Sequence, residues 1–147
     1  MSELLYSPVR GRAARLEDVK DEMFSEKMLG DGIAVISDQD EVMSPVDGTV
    51  TMVYETQHAI GISTKDGADV LIHMGIDTVA LKGEPFQTKV KVGDTVKKGD
   101  LLTVVDWEAI RQKGLDVIVP IIITNKKVKQ RSVEEEIKVG DPLLEIV

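Results

Sequence analysis

The stretch "HAIGISTKDGADVLIH", residues 58–73, predicts an antiparallel hairpin and contains both histidines of the chain, His58 and His73. Its two arms, "HAIGIST" (58–64) and "ADVLIHM" (68–74), are rich in β-branched residues and flank an Asp-Gly turn signal. The chain has two histidines in all, and both lie in this one hairpin. They are candidates for core residues, metal ligands or reactive groups.

The length of the hairpin loop decides whether the two imidazoles share a face of the sheet. A four-residue loop pairs Ser63 with Ala68 and sets His58 directly opposite His73, with Cβ atoms about 4.5–5.5 Å apart. A two-residue Asp-Gly turn leaves both on one face in diagonal positions. A three-residue loop without a bulge places them on opposite faces. Two of these three registers therefore produce an imidazole pair.

The same alternation predicts the surroundings of the pair. Thr56 and Ile60 share the parity of His58, and Leu71 shares that of His73. The pattern also fits a core-facing stripe with two buried histidines, and this alternative stays open. The expected cluster is Thr56, His58 and His73, set among Tyr54, Ile60 and Leu71.

The residues near the pair do not form a metal site by their spacing. Two imidazoles are too few for a closed zinc site, which takes four ligands. Asp69 or Asp77 could supply a third ligand, but the spacing matches no zinc motif, and we expect no metal. Gly75 lets the backbone approach a reacting group closely, and Asp77 could end the strand through its side chain.

Composition narrows the possible functions. The 147 residues suit a single domain, residues 1–147, with a sizeable core. The net charge of -8 argues against a nucleic-acid partner, because phosphate binding needs clustered Lys and Arg. Without cysteine there is no disulfide and no thiol nucleophile. No signal peptide or membrane span is evident, so we expect a cytoplasmic protein without direct membrane insertion.

Short β-branched runs separated by Gly, Asp and Pro predict an all-β barrel or sandwich. One helix is predicted over 107–113, with Asp106 as N-cap and Gly114 as its stop. A second helical turn is predicted over 21–28. Pro120 argues for an edge or a bulge in its strand. The clearest strands cover residues 32–37, 48–56, 58–64, 68–74, 101–106 and 116–124.

Internal repetition supports an antiparallel barrel-sandwich. "SPVRG" (7–11) recurs as "SPVDG" (44–48), and "KVGDTVKKGDLLTVV" (91–105) is echoed by "KVGDPLLEIV" (138–147). Each longer unit predicts a strand, a Gly-Asp turn and a strand, with Gly at the positive-φ turn position. Such duplication suits a sandwich-like barrel that closes on itself.

Two motifs carry a family resemblance. "LIHMGIDTVALKG" (71–83) and the upstream "ETQHAI" (55–60) together resemble the active-site signature of the glucose-type enzyme IIA domain of the bacterial phosphoenolpyruvate-dependent sugar phosphotransferase system. The resemblance runs from "LYSPVRG" to "VGDPLLEIV" and implies a duplicated-hybrid-motif-like barrel-sandwich with one or two short helices. Met74 stands where many relatives have phenylalanine. Further matching segments are "FSEKMLGDGIAV" (24–35), "SPVDGTV" (44–50) and "VKVGDTV" (90–96).

The resemblance implies a phosphoryl relay without a cofactor or metal. The phosphocarrier protein HPr donates a phosphoryl group to a histidine of IIA, and IIA passes it to a cysteine of the IIB domain of a sugar permease. By position in the motif, His73 resembles the phosphorylated nucleophile. His58 resembles the partner that hydrogen-bonds the phosphoryl group, and Thr56 the residue that orients His58. The proton on the other nitrogen of His73 can then point to a carbonyl, plausibly that of Gly75.

The resemblance also implies a hydrophobic docking face for both partners. An acidic rim on this face would suit a basic donor surface. Selectivity for the sugar resides in the membrane component of such systems, and a free protein and a domain of a fused transporter are both compatible with the motifs. The residues that match the family's docking positions are Phe24, Met28, Leu29, Tyr54, Ile60, Leu71 and Val79.

Three other interpretations compete on the residues: a carrier domain, a metallopeptidase and a purely structural module. A biotinyl- or lipoyl-like carrier domain needs a lysine at a hairpin tip between small or Met residues, and Lys65 lacks these neighbours. A zinc metallopeptidase of related barrel form would use His58 and His73 as ligands but needs a third, and the chain has no third histidine. All three are weaker than the phosphoryl relay.

Overall fold

The computed structural model describes residues 3–131 and 135–147, so residues 1–2 and 132–134 of the expected domain lie outside it. The helices are α1 (Glu22–Ser25) and α2 (Trp107–Gln112). The strands are β1 (Glu3–Tyr6), β2 (Gly11–Arg15), β3 (Asp31–Ser37), β4 (Glu41–Met43), β5 (Gly48–Val53), β6 (Ala59–Thr64), β7 (Asp69–His73), β8 (Phe86–Thr88), β9 (Thr95–Val96), β10 (Leu101–Val105), β11 (Ile118–Ile123), β12 (Val128–Gln130), β13 (Glu136–Ile137) and β14 (Pro142–Ile146).

The strands form one large and two small antiparallel sheets, as the β-rich pattern predicts. The large sheet has the order β13-β2-β3-β11-β7-β6-β5-β9. The small sheets have the orders β1-β14-β12 and β4-β10-β8. Every strand pair within the described residues is antiparallel. The all-β antiparallel architecture is therefore confirmed.

Both faces of the large sheet are buried around β7. Val70 and Ile72 lie in the main core, which the small sheets and α2 complete. Leu71, between them, belongs to a separate smaller core with Ile122 and Phe24. Successive side chains of a strand point to opposite faces, so one strand serves both cores. His73 has the parity of Leu71 and lies on the face of the smaller core.

The segment 16–29 covers the smaller core. It contains a 3₁₀ turn, Leu16–Asp18, and the short helix α1. Leu16 and Phe24 are buried in this core, and the Asp21 side chain caps α1 by accepting a hydrogen bond from the Met23 backbone N–H at 2.9 Å. The segment therefore walls one side of the region that holds His73.

The two Ser-Pro-Val-x-Gly repeats interlock through reciprocal backbone hydrogen bonds. The Tyr6 N–H donates to the Pro45 carbonyl at 3.0 Å, and the Met43 N–H donates to the Pro8 carbonyl at 2.9 Å. Equivalent positions of the two repeats thus exchange equivalent bonds. The duplication seen in the sequence is an approximate two-fold symmetry of the fold.

The helix predictions are confirmed with one change of length. In α2, the Asp106 side chain accepts from the Ala109 N–H at 3.1 Å, and Gly114 follows the helix with a φ of 76°. In contrast, α1 is shorter than the predicted 21–28. It ends at Ser25, and Lys27 takes a left-handed φ of 58° that helical geometry excludes.

The expectation for Pro120 is wrong, because β11 lies inside the large sheet and not at its edge. Its pairing with β3 passes through Pro120↔Ala34 without a register shift. Its pairing with β7 covers Ile121 to Ile123 and stops before the proline. A residue without an N–H is tolerated here because β7 makes no ladder pair with Pro120.

We expect Leu16→Ala to destabilise the protein by about 2–5 kcal/mol, because a fully buried Leu side chain leaves a cavity in the smaller core. Urea unfolding followed by the fluorescence of Trp107, the single tryptophan, measures the effect. Leu101→Ala is the control, since Leu101 is 37% exposed and should cost far less. Equal losses in the two variants would contradict a distinct packed core under segment 16–29.

Candidate functional site

Of the three registers considered for the β6–β7 hairpin, the structure has the one with a three-residue loop. Ala59 lies opposite His73, and the Thr64 N–H donates to the Ala68 carbonyl at 2.8 Å across a three-residue loop. The predicted direct pairing of His58 with His73 is therefore wrong. In a regular ladder this register would put the two imidazoles on opposite faces.

The imidazoles nevertheless meet, because His58 does not lie in a strand. The predicted strand 48–56 ends earlier than expected, because β5 stops at Val53. The predicted strand 58–64 begins one residue later, because β6 starts at Ala59. The five residues 54–58 form a connecting loop, which we call the histidine loop. Gln57 takes a left-handed φ of 61° in it, so strand alternation does not reach His58. The rings of His58 and His73 stand 5.0 Å apart between centroids, at 73°.

A backbone carbonyl determines the tautomer of His73. Nδ1 lies 2.6 Å from the Gly75 carbonyl oxygen, and because a carbonyl only accepts, Nδ1 carries the proton. The neutral ring then has its lone pair on Nε2. Gly75 has a φ of 84°, and a Cβ there would lie 2.5 Å from the Thr78 Cγ2. The turn that presents this carbonyl therefore requires glycine.

His58 is held from the opposite side. Its Nδ1 lies 2.5 Å from the Thr56 hydroxyl, in the same histidine loop. The Tyr54 ring packs edge-on against the His58 ring at 4.9 Å. His58 is only 4% exposed. Thr56, His58 and His73 thus form the predicted polar cluster, although its strand geometry was predicted incorrectly.

Burial keeps both imidazoles neutral near pH 7. Burial, and to a lesser degree the neighbouring His73, lowers the pKa of His58 to about 4. Burial also lowers the pKa of His73, against the opposing effects of the Gly75 carbonyl and the carboxylates of Asp21 and Asp77. A neutral His73 leaves Nε2 unprotonated and nucleophilic.

The pair lines an open cavity of about 350 Å³ with an apolar wall. Phe24 is buried and places its ring 5.0 Å from that of His73. Leu29 and Leu71 lie deeper in the wall. Tyr54 and Val79 are 42% and 52% exposed at its mouth. Five of the expected docking-face residues therefore surround the histidines.

The other two expected docking residues lie elsewhere. Ile60 is fully buried in the main core, because its parity is opposite to that of Ala59, so its expected place beside His58 is wrong. Met28 is 68% exposed but is not among the residues that line the cavity. Met74, at the position where relatives carry phenylalanine, is fully buried in the main core.

Two residues of the cavity mouth, Asp21 and Met23, are not among those expected from the sequence. Met23 is 45% exposed. Both belong to the predicted helical turn 21–28, but no spacing rule connects that turn to the hairpin. Asp77, which was expected, lies at the cavity with a left-handed φ of 61° and makes no capping hydrogen bond, so the idea that its side chain ends the strand is wrong.

The carboxylates named as possible third metal ligands do not complete a site. Asp69 pairs with Ser63 near the far end of the hairpin, and its backbone N–H donates to the Asn125 side chain at 2.8 Å. Within residues 3–131 and 135–147, no three His, Asp or Glu side chains converge as metal ligands would.

Comparison with known proteins assigns the family. Residues 3–129 match the family model of the phosphoenolpyruvate-dependent sugar phosphotransferase system, EIIA 1. The chain belongs to this EIIA family. The structure of glucose permease IIA from Mycoplasma capricolum superimposes with a TM-score of 0.93 at 35% identity, over 99% of this chain and 96% of that one.

Two relatives illustrate the range of the EIIA family. The glucose-specific EIIA component of Halalkalibacterium halodurans is 40% identical over 145 residues, which are 97% of this chain and 84% of the relative. The β-glucoside-specific EIIBCA component of Bacillus subtilis is 46% identical over 123 residues, 84% of this chain. The aligned part is only 20% of that longer relative.

Family membership makes this EIIA domain a phosphotransferase component of a phosphoryl relay in sugar uptake. The carrier-domain and metallopeptidase alternatives find no support in these comparisons. Across the described ranges, no helix has the length and apolar character needed to cross a membrane.

The environment of His58 predicts that the stability of the folded protein depends on pH. Its pKa of about 4 in the folded state lies below the ordinary 6.5, so the unfolded chain binds a proton that the folded chain does not. The contribution of His58 to stability is therefore complete above pH 6.5 and is lost as the pH falls from 6.5 to about 4. Imidazole NMR should show His58 titrating near pH 4, and His58→Gln should flatten this part of the stability profile. Titration of His58 near 6.5 would contradict its buried, neutral state.

Proposed function

We propose that His73 Nε2 accepts a phosphoryl group from the phosphorylated carrier HPr and passes it to a cysteine of a IIB domain. The reaction takes place in the cytoplasm, next to the membrane-bound sugar permease. His58 assists through a hydrogen bond to the phosphoryl group, and Thr56 orients His58. The observation that carries this proposal is the hydrogen bond from His73 Nδ1 to the Gly75 carbonyl.

That hydrogen bond supports the choice of the reacting atom. With the proton held on Nδ1, the lone pair of His73 is on Nε2, the nitrogen on the opposite side of the ring. The ring belongs to an open cavity, so a partner can reach it. Phosphoryl transfer depends mainly on in-line positioning and charge stabilisation, and both require a fixed ring.

In each transfer step the bonds formed and broken, and the electron pairs, are accounted for without a cofactor. The Nε2 lone pair of His73 forms the new P–N bond while the bond from phosphorus to the donor breaks, and its electron pair returns to the donor. In the second step a thiolate of the IIB domain attacks phosphorus. The P–N bond breaks, and its electron pair returns to Nε2 of His73.

The Thr56–His58 contact supports a donor role for His58. If the Thr56 hydroxyl donates to Nδ1, the proton of the neutral His58 ring is on Nε2. That N–H can donate to an oxygen of a phosphoryl group on His73, whose ring is 5.0 Å away. Hydrogen bonds to charged groups contribute about 1.5–3 kcal/mol.

The cavity mouth suits two successive partners. Met23, Tyr54 and Val79 present exposed apolar side chains that adapt to different surfaces. The carboxylates of Asp21 and Asp77 lie beside them. A donor or acceptor with a small apolar patch and basic neighbours would be complementary, and charge attraction would speed its encounter.

The proposal predicts an acid-labile, alkali-stable phosphoryl group on His73 after incubation with enzyme I, HPr and phosphoenolpyruvate. His73→Ala should accept none, because the attacking nitrogen is absent. His58→Gln should accept the group but transfer it to the IIB domain about ten- to a hundredfold more slowly, from loss of one charge-assisted hydrogen bond. Radiolabel transfer and mass spectrometry measure both steps.

Val92→Ala is a suitable control for these variants, because Val92 is exposed, does not line the cavity and is not an expected docking residue, so both steps should stay unchanged. Phosphate on His73→Ala would refute the assignment of the nucleophile. Full onward transfer by His58→Gln would remove His58 from the mechanism.

The orientation of His58 can be tested separately. Thr56→Val keeps the shape of the side chain but removes the hydroxyl that contacts His58 Nδ1. We expect His73 to be phosphorylated normally and onward transfer to fall about tenfold, because a misoriented donor loses part of its hydrogen bond. Thr56→Ser retains the hydroxyl and should transfer faster than Thr56→Val. Equal rates for the two variants would show that the hydroxyl does not orient His58.

A further inference from the structure

Gln57, between Thr56 and His58, has an unusual backbone conformation. Its φ of 61° lies in the left-handed region, which glycine adopts more readily than glutamine. The Gln57 N–H donates to the Tyr54 carbonyl at 2.7 Å and closes the histidine loop. A glycine would suit this backbone better, so the glutamine side chain calls for a separate explanation.

The side chain of Gln57 links the histidine loop to a different sheet. Its Oε1 accepts a hydrogen bond from the Thr88 backbone N–H at 3.0 Å, although Thr88 is 31 residues further along the chain. Thr88 ends β8, which is an edge strand of the small sheet β4-β10-β8. Gln57 therefore satisfies a backbone donor at the edge of this sheet.

The donor side of this link, at Thr88, is held in place by the small sheet. Thr88 lies opposite Thr103 in β10, and the two hydroxyls are 3.3 Å apart. Thr103 is fully buried. The next N–H, that of Lys89, donates to the Leu102 carbonyl at 2.7 Å. The end of β8 is thus held rigidly, and the Gln57 side chain is hydrogen-bonded to a fixed part of the fold.

The loop also rests on the chain just before β8. Gly83 lies so close that a Cβ there would be 3.5 Å from the Thr56 carbonyl oxygen and 3.7 Å from Gln57 Nε2. On its other side, the His58 carbonyl accepts from the Met74 N–H at 2.7 Å. The loop is therefore placed between the β8 region and the strand end that presents His73.

We propose that Gln57 is a positioning residue: its hydrogen bond to Thr88 holds the histidine loop so that the His58 ring stays against the His73 ring. Gln57 acts through Thr56 and His58 and touches neither the phosphoryl group nor a partner. The consequence for transfer rests on the role proposed above for His58. The structural consequence, the placement of the ring, does not depend on it.

Two substitutions remove the link in different ways. Gln57→Met keeps the length of the side chain but has no oxygen to accept from Thr88. Gln57→Gly removes the side chain and suits the φ of 61°, so it keeps the loop fold accessible if the Met variant folds poorly. Gln57→Glu retains an acceptor oxygen. Gln87→Met is the matched control, because Gln87 is an exposed glutamine on the same strand β8.

Imidazole NMR gives a readout that does not require phosphoryl transfer. In Gln57→Met and Gln57→Gly, a loosened loop should expose His58 to water, and the pKa of His58 should rise from about 4 toward 6.5. Gln57→Glu retains the acceptor for Thr88 and should keep onward transfer near the wild-type rate, and Gln87→Met should not change the pKa of His58. Onward transfer to the IIB domain should fall about tenfold in the Met and Gly variants, because a displaced group loses its alignment.

An unchanged His58 pKa in both the Met and the Gly variants would overturn the proposal, as would identical behaviour of Gln57→Met and Gln57→Glu. Failure of the proposed function has a different signature. In that case wild-type protein would not carry phosphate on His73, or His58→Gln would relay at the full rate, while the NMR comparison would still decide the role of Gln57.

Discussion

The register of the β6–β7 hairpin is the constraint on which the other features of the site depend. Ala59 lies opposite His73, and this pairing sends Ile60 and Ile72 into the main core and Leu71 and His73 to the other face. A slip of one residue would exchange the two sets and bury the histidine among the branched side chains of the main core. Burial on both faces therefore holds the register, and the register places the His73 ring.

Two irregular segments, one on each side of the hairpin, orient the two imidazoles. After β7, the turn at Gly75 presents a carbonyl to His73 Nδ1 and so selects its tautomer. Before β6, the histidine loop places His58 beside His73 from outside the strand ladder, and the Thr56 hydroxyl contacts His58 Nδ1. Neither imidazole depends on a charged partner for its orientation. A hydroxyl and a carbonyl orient the rings while leaving them neutral, as the proposed attack by His73 Nε2 requires.

The smaller core connects the histidine pair to the surface that we propose for partner docking. Segment 16–29 packs Leu16 and Phe24 onto the sheet, and Phe24 contacts the His73 ring. The same segment exposes Met23 at the cavity mouth. Apolar side chains are thus continuous from the packed interior to the surface around the histidines, and a partner that covers the mouth would remove water from the transfer site.

The sequence by itself determined the all-β class, helix α2, the duplication and, through "HMGIDTV" and "TQH", the family and its two histidines. These features are local: they need only alternation, capping residues or a motif of fixed spacing. It did not determine how His58 meets His73. Strand parity predicted a same-face pair from either a four-residue or a two-residue loop. The structure has a three-residue loop and brings the rings together through the left-handed turn at Gln57. The placement of Ile60 in the core, and of Asp21 and Met23 at the cavity, likewise depended on packing between segments distant in the chain. No local pattern encodes such contacts, so only the tertiary structure decided them.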